Sequence, residues 1–96
     1  MTIDTSLQVR IPNSVIIQML EGKSILLNLQ TNTYYGLNLV GTRMIQTLDK
    51  VDSIERAAFI LVDEFDVIQE TLTHDMVQLI QQLLRQGLLE VNGSPQ

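Results

Sequence analysis

The chain has 96 residues, 45% of them hydrophobic, and a formal net charge of -5. That length bounds it to one domain with a single modest core, spanning 1–96, and the apolar content excludes a disordered chain. The absence of cysteine excludes disulfides, thiolate metal sites and thiol catalysis, and it fits a reducing cytoplasmic location.

The start, Met1 to Ser6, lacks a basic region followed by a long apolar run, so it does not read as a signal peptide. No apolar stretch approaches the ~20 residues of a membrane helix. Residues 1–6 are expected to form a mobile arm. Leu7, Val9 and Ile11 alternate with Gln8 and Arg10, the pattern of a short edge strand that Pro12 ends. Val15 to Leu20 is rich in β-branched residues and lies between Asn13-Ser14 and Glu21-Gly22, so it reads as a strand. Ser24 to Leu29 is the next, with Ile25, Leu27 and Leu29 on one face by period two. After the turn signal Thr31-Asn32 comes Thr33-Tyr34-Tyr35-Gly36-Leu37. Thr33, Tyr35 and Leu37 share one face of this strand, and Tyr34 and Gly36 share the other. One tyrosine of the pair therefore faces the core, and one is free to flank a ligand. Short connections favour an antiparallel meander.

Asn38 is placed to cap a helix with the stripe Val40, Met44, Ile45 and Leu48. Ser53 caps the next, whose stripe is Ile54, Ala57, Ala58, Leu61, Val62 and Phe65, with Glu55 favourably in the first turn. Asp66-Val67-Ile68 connects to a third helix from about Glu70 to Gln86, ended by Gly87 as a left-handed C′ residue. Leu89-Glu90-Val91 adds a short extended piece, and 92–96 is expected to fray. Strands followed by helices argue an α+β fold, a three-stranded antiparallel sheet and then three helices.

Charge is uneven along the chain. Residues 1–50 carry Arg10, Lys23, Arg43 and Lys50 against Asp4, Glu21 and Asp49, a balance of +1. Residues 51–96 carry Arg56 and Arg85 against eight acids, a balance of -6. Asp63, Glu64, Asp66, Glu70 and Asp75 follow one another with no Lys or Arg between them. Such a face repels phosphate backbones, so nucleic acid is not an expected ligand. It is either a solvated face that maintains solubility or a surface for a basic partner.

Catalytic chemistry is not evident. His74 is the only histidine, and its neighbour Asp75 does not share its helix face, so the pair does not form a triad-like arrangement. With one His and no Cys, only carboxylates remain for a metal, and Asp63, Glu64 and Asp66 lack calcium-loop spacing. Gly36 and Gly41 belong to no phosphate-loop pattern. The expectation is a non-enzyme with no cofactor and no metal.

The third helix is more apolar than an outer helix needs. Met76, Ile80 and Leu83 lie at the centre of its stripe, Leu72 and Leu79 to one side, Val77 and Leu84 to the other. The arc spans about 160°, against roughly 100° for a helix with one buried face. Either the helix is buried between two neighbours, or one margin lines a groove.

The segment from about Ile16 to Val91, some four-fifths of the chain, resembles the PqqD-like family of peptide-binding domains, also called RiPP recognition elements. The resemblance rests on Leu29 to Thr42 with its Tyr34-Tyr35-Gly36-Leu37-Asn38-x-x-Gly41 step, on Met44 to Leu48, and on Asp63-Glu64-Phe65-Asp66-Val67. Asp75, Ile80, Leu83, Gly87 and Leu88 complete it. The connection Ile68 to Thr73 departs from the family pattern in lacking a proline.

The resemblance implies a winged-helix-like domain that binds the leader peptide of a ribosomally made, modified precursor. The leader would add as a strand to Thr33–Leu37 and lie against the third helix. The partner would be a separate processing enzyme: a lasso-peptide leader protease or, for a PqqD-type chaperone, a radical SAM enzyme. A stand-alone monomer is expected. The alternatives are a winged-helix transcription regulator and a domain that dimerises through its own strand edges. The implied peptide-binding residues are Thr33, Tyr34, Tyr35, Gly36, Leu37, Leu72, Asp75, Met76, Leu79 and Gln82. Leu72, Asp75, Leu79 and Gln82 fall within about 80° on the helical wheel. Met76 joins the candidates while lying, with Ile80 and Leu83, in the buried centre. The opposite margin, Val77 and Leu84, is the alternative, because the wheel does not say which side meets the strand.

Overall fold

The computed structural model describes residues 4–92. Its elements are β1 (Gln8–Arg10), β2 (Val15–Leu20), β3 (Lys23–Asn28), β4 (Thr33–Leu37), α1 (Leu39–Leu48), α2 (Ile54–Phe65), α3 (Gln69–Arg85) and β5 (Glu90–Asn92). Strands β2, β3 and β4 form an antiparallel meander in that order, and β1 pairs with β5 in a separate two-stranded sheet. The fold is α+β, with a three-stranded sheet followed by three helices.

Turn chemistry sets the register of the meander. Leu20 pairs with Lys23, and the two residues between them, Glu21 and Gly22, both have positive φ, 53° and 83°. That is the pattern of a type I′ turn, whose twist matches that of the strands. The β3–β4 connection is held from inside. The Asn28 side-chain oxygen accepts from the Gln30 and Thr31 amides at 2.8 and 3.3 Å, and its Nδ2 donates to the Gly87 carbonyl at 2.8 Å.

The inward face of β3 is Ser24, Leu26 and Asn28, all buried. Ser24 Oγ lies 2.8 Å from Thr42 Oγ1 of α1. The face shared by Ile25 and Leu27 looks outward, and Ile25 is 50% exposed. Period two had grouped these apolar residues, but the buried face contains two polar ones. Burial is tolerable for them because their hydrogen bonds are made within the protein.

Side chains cap the starts of α1 and α2, while α3 starts at Ile68 without one. Asn38 Oδ1 accepts from the Gly41 amide and Ser53 Oγ from the Arg56 amide. The α2 amides of Ile54 and Glu55 donate to the carbonyls of Leu7 and Thr5. Thr5, in the segment expected to be a mobile arm, is thus hydrogen-bonded to the start of α2. Residues 1–3 and 93–96 lie outside the described residues. Asn92, expected to fray, pairs with Gln8. At the end of α3, Gly87 (φ 72°) and Leu88 donate to the carbonyls of Leu84 and Leu83. Those two bonds are the Schellman arrangement.

Leu26, Ile45, Leu48, Ile54, Leu61, Met76, Ile80, Leu83 and Leu88 form the fully buried centre. Val40, expected in the α1 stripe, is 42% exposed. It sits in the first turn of the helix. No helix among the described residues is long and apolar enough to cross a membrane. Leu83→Ala should cost about 2–5 kcal/mol, because the site is enclosed on all sides. Asn28→Ala should cost about 1–3 kcal/mol, because it removes three hydrogen bonds made by a buried side chain. Urea denaturation of both variants checks these values.

Candidate functional site

β4 is an edge strand, paired with β3 on one side and with no strand on the other among the described residues. Beside this edge runs a cleft of about 260 Å³ lined by Tyr35, Gly36, Leu37, Asn38, Val40, Gly41, Met44, Asp75 and Leu79. A second hollow of about 250 Å³ continues it, lined by Val40, Met44, Phe65, Val67, Thr71, Leu72 and Asp75. Val40, Met44 and Asp75 belong to both, so the two form one groove from the β4 edge to the α2–α3 connection. Asp66 enters that connection in the left-handed conformation (φ 53°) and ends α2.

The structure decides which margin of α3 meets the sheet. Tyr35 Oη donates to Gln82 Oε1 at 3.1 Å, and Asp75 and Leu79 line the cleft with Tyr35. Val77 and Leu84, on the opposite margin, pack half-buried against the core. Of the ten candidate residues, Met76 is displaced: it is 0% exposed and belongs to the core. Leu72 is 4% exposed and serves as floor of the second hollow, without a free margin.

The candidates on β4 divide by face. Tyr35 and Leu37 turn towards the helices, with Thr33 on the same side, while Tyr34 (70% exposed) and Gly36 lie on the outward face. Sequence reasoning missed Val40, Met44, Phe65, Val67 and Thr71. Val40, Met44 and Phe65 had been absorbed into helical stripes. Their signal was that the stripes hold more apolar residues than one contact face needs.

Asp75 is the only charged side chain lining either hollow. Nearby, Arg43 makes two hydrogen bonds of 2.7 Å to the Glu64 carboxylate. The guanidinium holds the Glu64 carboxyl below the usual carboxylate range. Whatever this exposed pair adds to stability is present above the unfolded pKa and fades as pH falls through the lowered value. Among the described residues no cluster of His, Cys, Asp or Glu is placed to hold a metal ion, and no buried side-chain polar atom lacks a partner.

A family model described as coenzyme PQQ synthesis protein D (PqqD) matches residues 23–89. Two solved structures are similar. One is TbiB1 in complex with the TbiA(beta) leader peptide, at 29% identity and a TM-score of 0.79, covering 91% of this chain and 99% of that one. The other is a lasso peptide synthetase B1 complexed with the leader peptide, at 20% identity and a TM-score of 0.77, covering 86% and 98%. At that identity the second likeness is one of fold. No curated protein matches the chain.

Tyr35→Phe removes the side-chain bond from Tyr35 to Gln82 at the mouth of the cleft. Because that bond is exposed, the variant should lose less than about 1 kcal/mol. Denaturant melts check the stability, and a shift of the Gln82 side-chain amide resonances reports loss of the bond.

Proposed function

The chain belongs to the PqqD family, and from that premise we propose that it binds the leader peptide of a ribosomally made precursor without catalysing its modification. The observation that carries this reading is the free β4 edge lying beside a groove, mixed in polarity next to the strand and apolar towards the α2–α3 connection, with one margin of α3 as its far wall. An extended peptide added to that edge pairs through its main chain, which gives affinity tolerant of sequence. Its alternate side chains enter the groove, which gives selectivity. Asp75, alone in its charge there, favours a leader with a basic or hydrogen-bond-donating residue at that point.

The bound precursor is then delivered to a separate processing enzyme. The likeness to a leader-peptide complex over nearly the whole of that chain favours a separate leader-processing enzyme, read here as a lasso-peptide leader protease acting in the cytoplasm. A PqqD-type chaperone serving a radical SAM enzyme is the second reading, favoured by the family match. A DNA-binding role is disfavoured by the balance of -6 over residues 51–96, which opposes phosphate contacts.

On adding the cognate leader, amide exchange over Thr33–Leu37 should slow. Binding with unchanged exchange there would place the peptide elsewhere. Asp75→Ala and Leu79→Ser should weaken leader binding by calorimetry while the protein stays folded, and Val77→Ser should bind normally if folded. Incubated alone with the precursor, the protein should leave its mass unchanged. Processing should require the partner enzyme, and cleavage by this chain alone would overturn the non-catalytic reading.

A further inference from the structure

Ile68 stands where a polar residue would serve the chain better. It is the N-cap of α3, a position at which Ser, Thr, Asp or Asn accepts a hydrogen bond from the first helical amides. Ile68 has no side-chain group to do so, whereas Asn38 and Ser53 cap α1 and α2 in this way. Its side chain is 72% exposed. The chain therefore forgoes a cap and displays an isoleucine to solvent. Phe59 of α2 is displayed likewise, at 59%.

Both residues lie next to the far end of the groove. Val67 lines the groove's second hollow. Gln69, two residues on, lines a hollow of about 340 Å³ on α2 together with Asp52, Ser53, Glu55, Arg56 and Phe59. Residues two apart in a chain are within about 8 Å of one another, so the two hollows flank the α2–α3 connection, with exposed Ile68 between them in the chain. They share no lining residue, so one extended ligand can occupy both. Charge along this path is mostly of one sign. Asp75 stands in the groove, Asp66 and Glu70 flank the connection, and Asp52 and Glu55 line the α2 hollow; all five are exposed. No Lys or Arg occurs from residue 57 to residue 84. Arg56, the cation lining the α2 hollow, has its guanidinium carbon 5.5 Å from the centre of the Phe59 ring, so that ring already holds a cation on its face.

We propose that the precursor is held beyond its paired strand: the stretch that leaves the β4 edge at Leu37 follows the groove, crosses the α2–α3 connection over Ile68, and sets a basic residue and an apolar one in the α2 hollow beside Phe59. This rests on strand addition at β4. An acidic path that ends on an exposed aromatic ring fits a chain carrying Lys or Arg. The same charge opposes an anionic membrane surface and a second copy of this face. Once the strand is paired, contact by the flanking stretch is intramolecular, so a site too weak to hold a free peptide still adds affinity. Main-chain pairing at β4 tolerates many sequences, and the flanking contact adds a selection that the edge lacks.

The test starts from a short peptide selected on the wild-type protein from a phage-displayed random library and shown to slow amide exchange over Thr33–Leu37. The peptide is lengthened at one end or the other by about eight residues, roughly 26 Å of extended chain. The added stretch is either neutral Gly-Ser or one carrying arginine and leucine. At low salt the Arg-Leu stretch should tighten binding about fivefold or more at one end only, and the neutral stretch should not. Ile68→Ser and Phe59→Ser should each remove most of that gain while binding the unlengthened peptide as wild type does. Ile68→Ser should melt no lower than wild type, because serine supplies the missing cap. No gain at either end, an equal gain at both ends, or a gain that survives both substitutions overturns this inference and leaves strand addition standing. Failure to find any peptide that slows exchange at β4 overturns both. Self-association of the wild-type protein that Phe59→Ser abolishes would assign the α2 hollow to a second copy of the chain and overturn the inference.

Discussion

The arrangement depends on one buried amide. Asn28, at the end of β3, closes the β3–β4 turn with its oxygen and holds the carbonyl of Gly87 with its nitrogen. It therefore ties the strand that supports β4 to the end of α3, the two walls of the groove. At the other end of β3, Ser24 makes the same kind of buried contact to Thr42 of α1. Buried hydrogen bonds of this sort are directional and costly to leave half-made. They hold the sheet at one angle to the helices where apolar packing alone would tolerate sliding.

That rigidity matters because β4 supplies little selectivity of its own. An edge offers the same N–H and C=O groups to any extended chain, a hazard that proteins usually blunt with charge, proline or a bulge. Thr33–Leu37 contains none of these. Its protection is geometric: α3 stands beside the edge through Tyr35 and Gln82, so an incoming strand must fit its side chains to a preformed groove. In the proposed reading, selection by the groove walls is what turns a sticky edge into a recognition site.

Much of this was legible beforehand, and the misses share a cause. The caps Asn38 and Ser53, the stop at Gly87 and the three helical stripes are local signals, set by which residues can satisfy a helix end or face one side. They reappear in the structure. The two short extended segments, Gln8–Arg10 and Glu90–Asn92, were visible singly, but their mutual pairing joins the two ends of the described chain. No periodicity encodes that. On β3 the alternation was read correctly, and yet its apolar half faces outward. A period of two separates two faces without ranking them, and here buried polar partners outweighed side-chain hydrophobicity.

The sequence by itself determined the elements, their order, the α+β class and the resemblance on which the functional reading rests. All of these follow from short-range chemistry: turn residues, caps and periodicity. Only the tertiary structure decided which margin of α3 faces β4, that Met76 and Leu72 are enclosed, and that Val40 and Val67 line the groove. Each of those depends on the angle between sheet and helices. That angle is set by contacts between residues far apart in the chain, such as Asn28 with Gly87 and Tyr35 with Gln82, and no local pattern contains it.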